Sequence, residues 1–197
     1  IKKRENKFWN NEFQPFYSCI TFGAQFIDKA KETSSTTYKS FDEGVKSYSE
    51  NLYEVDFIYR KFIWNYRQTK QNRILANLVE TVEKIYSNDW LLNNNNNWQK
   101  VIDNVDVWPV NKGNSQRAFF KNYVAPYFEN NQRKNQRLFV IISDAFRYEC
   151  GAEFSARLQA EKRYESSIDS MVASLPNPPI AIPASARAIT GASLTPS

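Results

Sequence analysis

Histidine is absent from the 197 residues. No Ser-His-Asp or Cys-His constellation, no imidazole proton relay and no His-ligated zinc can therefore be assembled from this chain alone. Cysteine is scarce. Cys19 and Cys150 lie far apart without metal-ligand spacing, which excludes a disulfide-stapled scaffold and fits a reducing, cytoplasmic setting. Long apolar runs are missing as well. The longest uncharged stretches are 13–27, too short to cross a bilayer as a helix, and 170–186, which carries four prolines. No membrane partner is expected. The basic start Lys2-Lys3-Arg4 is not followed by the apolar stretch of a signal peptide. The chain opens on Ile1 rather than methionine, and so reads as a fragment.

What is present is a large apolar and aromatic fraction, 42% and 15% of the residues, enough for a core and incompatible with global disorder. The net charge of +5 is uneven: residues 1–137 hold 21 Lys+Arg against 15 Asp+Glu, and residues 138–197 hold 5 against 6. A basic front half can neutralise phosphates, which keeps nucleic acid open as a partner. The charges are interleaved in both signs, however, as in Asp28-Lys29-Ala30-Lys31-Glu32, the pattern of solvated helix faces.

Residues 1–135 read as a helical region. Trp9, Phe13, Phe16, Ile20, Ala24 and Ile27 step by threes and fours and predict one helix face. Val45, Tyr48, Leu52, Val55, Tyr59, Phe62 and Tyr66 repeat in the same way from a start near Ser40 or Asp42. Ile74, Leu78, Val82 and Ile85 predict a third face. The Asn93–Asn97 run reads as a low-complexity surface loop, followed by a short helix with Trp98, Val101, Ile102 and Val105. Ser115 is a plausible N-cap for a helix carrying Phe119, Phe120, Val124 and Phe128, with Pro126 bending its last turn. Aromatics at this spacing can serve as stacking platforms for bases, but a two-turn apolar face more often forms a core.

The pattern changes at residue 136. Leu138-Phe139-Val140-Ile141-Ile142 is the run expected of a strand buried on both faces of a parallel sheet. A helix over 145–160 is predicted next, with Phe146, Cys150, Phe154 and Leu158 on one face. A second strand then runs from Tyr164 to Leu175-Pro176. The predicted fold class is thus an α/β fragment: a helical region, then a first β-α-β unit over 136–176. Residues 177–197 are poor in charge and hold no aromatic; five of the eight prolines lie at or after Pro176. The segment reads as an aberrant Pro/Ala/Ser-rich tail that a frameshift after Pro176 would explain, and it is expected to be mobile.

Asp144 follows the first predicted strand, where α/β sheets place their ligands. It can ligate a cation or cap the next helix; the spacing does not choose between them. Arg147 and Glu149 can contact a substrate phosphate or pair with neighbours. Cys150 reads as a small core residue, because no histidine exists to activate it.

Val140-Ile141-Ile142-Ser143-Asp144-Ala145-Phe146-Arg147-Tyr148-Glu149 resembles the opening motif of the PglZ domain, usually V-I-I-S-D-A-L-R-Y-E. The flanks agree, through Glu161-Lys162-Arg163-Tyr164 and Leu175-Pro176. Tyr53 to Phe62 and Gln116 to Phe120 resemble the region before this domain in proteins of BREX phage-defence systems. The resemblance covers roughly residues 8–176 and implies the alkaline-phosphatase superfamily. In those enzymes divalent cations, zinc foremost, activate a Ser or Thr nucleophile and stabilise charge on the phosphoryl oxygens. It makes Asp144 the first metal-binding carboxylate and other phage-defence proteins the expected partners. The family's nucleophile lies in a segment such as L-P-S-Y-T, whereas this chain reads Leu175-Pro176-Asn177-Pro178-Pro179, with proline where the threonine belongs. Ser185, Thr190 and Ser193 are later hydroxyls that no motif places at a site. The later Asp and His ligands are absent too, so the chain as given is expected to be inactive and to hold no metal. The competing reading is a helical interaction or nucleic-acid-binding module without catalysis.

Overall fold

Three- and four-residue apolar spacing favours helices, and the computed structural model shows seven α-helices among the described residues. It describes residues 10–104, 116–129, 137–143, 146–162, 164–172 and 186–194. Trp9, Val105 and Ser115 lie outside the described residues. The helices are α1 (Asn10–Thr33), α2 (Phe41–Ser47), α3 (Tyr53–Gln68), α4 (Asn72–Lys84), α5 (Leu92–Ile102), α6 (Ala125–Glu129) and α7 (Tyr148–Ala160). π-helical turns over Tyr48–Leu52, Ile85–Leu91 and Phe120–Val124 precede α3, α5 and α6. Two strands, β1 (Tyr164–Val172) and β2 (Ala186–Leu194), complete the described elements. The chain divides into two compact units, residues 1–38 with 50–97 and residues 39–49 with 98–197.

In the first unit α1, α3 and α4 pack together. The α3 face is as its spacing predicts: Leu52, Val55 and Phe62 are buried. On α1 the buried residues are Cys19, Gly23, Phe26, Ala30 and Thr33, not Ile20, Ala24 and Ile27. The predicted face is therefore rotated by about one residue. Its cause is close packing at Gly23, where an added Cβ would lie 3.1 Å from Leu78 Cδ2 and 3.1 Å from Phe62 Cε2. Small residues turn inward there although larger ones lie beside them. On α4 the displacement is partial: Leu75 and Val79 are buried and Ile74 is 71% exposed, whereas Val82 is buried as its spacing predicts.

Aromatic stacking orders the middle of this unit. Tyr59 and Tyr86 lie face to face with centroids 3.8 Å apart, Phe26 meets both rings, and Trp90 continues the stack from Tyr86. The polar ends of these rings are satisfied. Tyr86 Oη donates to Asp56 Oδ1 at 2.7 Å, and Trp90 Nε1 donates to Thr33 Oγ1 at 3.0 Å. Lys29 Nζ joins α1 to α3 by a 2.8 Å ion pair with Glu54.

The asparagine run departs from expectation. Residues 92–102 form α5, so Asn93–Asn97 is helical rather than a surface loop. Asparagine has low helix propensity, but tertiary hydrogen bonds override it here. Asn94 is buried and its Oδ1 accepts from Tyr38 Oη at 3.0 Å, while Asn97 Nδ2 donates to Thr36 O at 3.0 Å.

In the second unit Ser40 caps α2, accepting from Glu43 N–H at 3.2 Å, while Glu43 Oε2 accepts from Lys39 N–H at 2.9 Å. Phe41 packs on Trp98 at a centroid distance of 5.3 Å, and Tyr48 meets Tyr148 edge-on at 6.1 Å. Strand β1 pairs antiparallel with β2, with Tyr164 opposite Leu194 and Val172 opposite Ala186. Helix α7 packs on both strands.

Three expectations are corrected in this unit. Residues 137–143 form no strand, and Phe139, Ile141 and Ile142 are 79%, 92% and 90% exposed. A strand exists only through the hydrogen bonds of a neighbour, and none of the described strands pairs with this run. The described order is therefore helix, strand, strand, and the β-α-β unit is not observed. Ala186–Leu194, assigned by composition to an unpaired tail, is instead β2. The inward side of α7 also differs. Tyr148, Glu149, Gly151 and Ser155 are buried, whereas Phe154, on the predicted face, is exposed. Close approach to the sheet selects Gly151 and Ser155: Ser155 Oγ lies 2.9 Å from Ser166 Oγ, and Ser166 Oγ donates to Ser155 O at 3.1 Å.

Candidate functional site

The decapeptide 140–149 falls into two halves of opposite character. Its first half, through Ser143, is extended and exposed. Asp144 and Ala145 lie outside the described residues. Its second half opens α7. The helix starts at Tyr148, with Arg147 as N-cap in extended geometry (ψ 156°) and no side chain capping it. The start is thus three residues later than predicted, and the N-cap position does not belong to Asp144. The Arg147 carbonyl accepts from the N–H groups of Cys150 and Gly151, each at 3.1 Å.

Glu149 sits in the first turn of α7, where the helix dipole favours a carboxylate, and is only 1% exposed. Arg147 Nε lies 3.0 Å from Glu149 Oε1. The two residues therefore face each other across the edge of the packing, the Arg147 side chain 40% exposed and that of Glu149 2%. Tyr148 between them turns inward onto Tyr48. The Arg-Tyr-Glu part of the motif thus anchors the start of α7. Its distinctive signal was the spacing of Arg147 and Glu149 around an aromatic.

The other candidates do not converge. Cys150 is half-buried and in no disulfide. Thr190 stands opposite Ile168, and Ser193 opposite Glu165, in the β1–β2 ladder. Ser185 and the Asn177-Pro178-Pro179 stretch lie outside the described residues. Among the described residues no three Asp, Glu or Cys side chains converge in a way that could hold a metal ion. With histidine also absent, the described donors alone do not make a cation site. No described helix is long and apolar enough to cross a membrane. From Phe57 onward the outer face of α3 carries Arg60, Lys61 and Arg67 and no acidic residue.

Residues 119–180, which include this decapeptide, match the family described as the BREX system PglZ alkaline phosphatase-like domain. This stretch is similar to a PglZ domain. The match opens at residue 119, ahead of the boundary expected at 136, and runs through the proline-rich stretch to Ile180. The chain is 29% identical over 187 residues to the alkaline phosphatase-like protein BrxZ of Escherichia coli O9:H4 (strain HS), covering 90% of this chain and 21% of that protein. It is also 29% identical over 172 residues to the alkaline phosphatase-like protein PglZ of Bacillus cereus (strain H3081.97), covering 86% and 19%. It spans about a fifth of the length of these curated relatives. No solved structure matches.

Proposed function

We propose that this chain supplies the helical region and the entrance of a metal-dependent phosphatase- or phosphodiesterase-like domain, and that alone it performs no turnover. The observation that supports this reading most is the decapeptide ending in Arg147-Tyr148-Glu149, within the stretch that matches the PglZ family. In it Asp144 contributes one carboxylate to a divalent-cation site, zinc being the cation expected. The further ligands and the nucleophile come from outside these 197 residues, because the chain holds no histidine and has Pro179 where the family has a hydroxyl. One carboxylate cannot retain such a cation tightly, since protein sites use about four or more donors. Residues 1–135 form the helical region, 136–176 the start of the domain and 177–197 a segment departing from the family pattern. The partners are other BREX proteins in the cytoplasm.

A chimera tests this. Residues 140–149 are placed in the corresponding stretch of the Escherichia coli relative and assayed on an aryl phosphate with added zinc or magnesium. The expected outcome is cation-dependent hydrolysis by the chimera, none by the 197-residue chain, and loss of hydrolysis on Asp144→Ala. Activity that survives Asp144→Ala, or a parent relative inert under every cation, overturns the reading.

A further inference from the structure

Helix α3 turns Val55 and Phe62 inward. Residues 57, 60, 61, 64, 67 and 68 follow the same three-four rule on the opposite side, so they share its outer face. That face holds Phe57, Arg60, Lys61, Trp64, Arg67 and Gln68. Trp64 is 62% exposed, and Arg67 is exposed one helical turn beyond it. The positive charge continues past the helix end through exposed Lys70 and Arg73. Between Phe57 and Val79 there are five Lys and Arg residues and no Asp or Glu. Arg60 and Lys61 hold their cations 5.5 and 5.4 Å from the Phe57 ring centre, which draws both along the helix surface. Glu83, near Tyr59 together with Arg67, is the acid at the margin of this surface.

We infer that this face binds single-stranded nucleic acid, independently of the phosphatase reading. The chemistry selects that partner. An acidic peptide would use the cations and leave the indole of Trp64 without a counterpart. A duplex hides the faces of its bases within the stack. An unpaired strand offers both parts at once, phosphates for Arg67, Lys70 and Arg73 and a base plane for Trp64. A guanidinium one turn from an indole provides a second flat surface on which the next base stacks. The contact is sequence-tolerant, because every base has a π face.

The test is fluorescence anisotropy of a labelled oligothymidylate of about twenty nucleotides, a length sufficient for several contacts. The 197-residue chain is titrated against it at about 50 and 200 mM salt, the range over which phosphate contacts weaken. A duplex of equal length and polyglutamate of equal charge serve as competitors. The expected result is salt-dependent binding that neither competitor matches. Trp64→Ala weakens it by about ten-fold or more. The combination Arg67→Gln, Lys70→Gln and Arg73→Gln lowers the salt slope by about 2, at roughly 0.7 per lost single-strand contact. All four side chains are exposed, so far-UV circular dichroism and the urea midpoint should hold and separate binding from folding. Absence of binding at the lower salt, equal displacement by polyglutamate or duplex, or indifference to both sets of substitutions overturns the inference.

Discussion

The α1–α3–α4 packing and the 137–143 stretch are both rich in large apolar residues, yet they end in opposite states. In the first, each ring meets another ring, and the hydroxyl of Tyr86 and the indole N–H of Trp90 reach Asp56 and Thr33. In the second, Phe139, Ile141 and Ile142 stand in solvent. The difference is one of hydrogen bonding before it is one of hydrophobicity. A helix satisfies its own backbone and then needs only a neighbour for its apolar face. An extended run needs another strand before either face can be covered. Apolar content alone therefore says that a segment seeks burial, not that it finds it.

The sharpest way to break this comparison is Phe62→Ala. With the side chain fully buried against α1, the loss should be about 3–5 kcal/mol, read from urea unfolding followed by circular dichroism. A loss below about 1 kcal/mol would mean that the helical packing is as loose as the 137–143 stretch. Arg147→Ala comes next, because it strips a partner from the buried Glu149 carboxylate. Arg147 is itself partly exposed, so roughly 1–3 kcal/mol is expected rather than the full cost of a buried charge. An unchanged midpoint would remove the anchoring role given to the second half of the motif.

Gly23→Ala sets two effects against each other. The helix gains about 1 kcal/mol of propensity, while overpacking against Phe62 and Leu78 costs about 1–3 kcal/mol. Leu78 is half-buried and can shift, but Phe62 cannot. A net loss of about 1 kcal/mol is expected, and Phe62→Leu in the same background should reduce it.

Alkaline pH should loosen the first unit alone. Burial pushes the Tyr38 phenol from 10.0 up to about 12 and the Cys19 thiol from 9.0 up to about 11. Both groups are neutral when protonated, and the unfolded chain releases these protons first. The stability they confer is complete below pH 9 and is lost as pH rises towards 12. Urea midpoints across that window should fall, and Tyr38→Phe should flatten the upper part; a flat wild-type profile would contradict the burial. The smallest effect is expected from Ile141→Ser, within about 0.5 kcal/mol of zero. A larger destabilisation in the 197-residue chain would show that the stretch is already paired.

Periodicity made the helical class legible from the sequence, and the Val45–Tyr66 repeat named the buried face of α3 directly. It did less well on α1 and α4. On α1 the face turns by one residue at the close packing around Gly23, and on α4 Leu75 and Val79 turn inward in place of Ile74 while Val82 stays on the predicted face. It failed on Asn93–Asn97, whose helix depends on bonds to Thr36 and Tyr38 more than fifty residues away. The decapeptide of 140–149 was readable at once as a PglZ-like element, although its spacing could not say which half anchors and which half waits.

The sequence by itself determined which residues are available for chemistry: no imidazole, Asp144 after an apolar run, and prolines at 178 and 179. It also determined where helices are favoured, since that preference is local. The tertiary structure alone decided which residues of α1, α4 and α7 turn inward, that Glu149 and Arg147 answer each other, and that β1 pairs with β2. Those outcomes depend on contacts between residues distant in the chain. No local pattern carries them, because the free energy of such a contact resides in both partners at once.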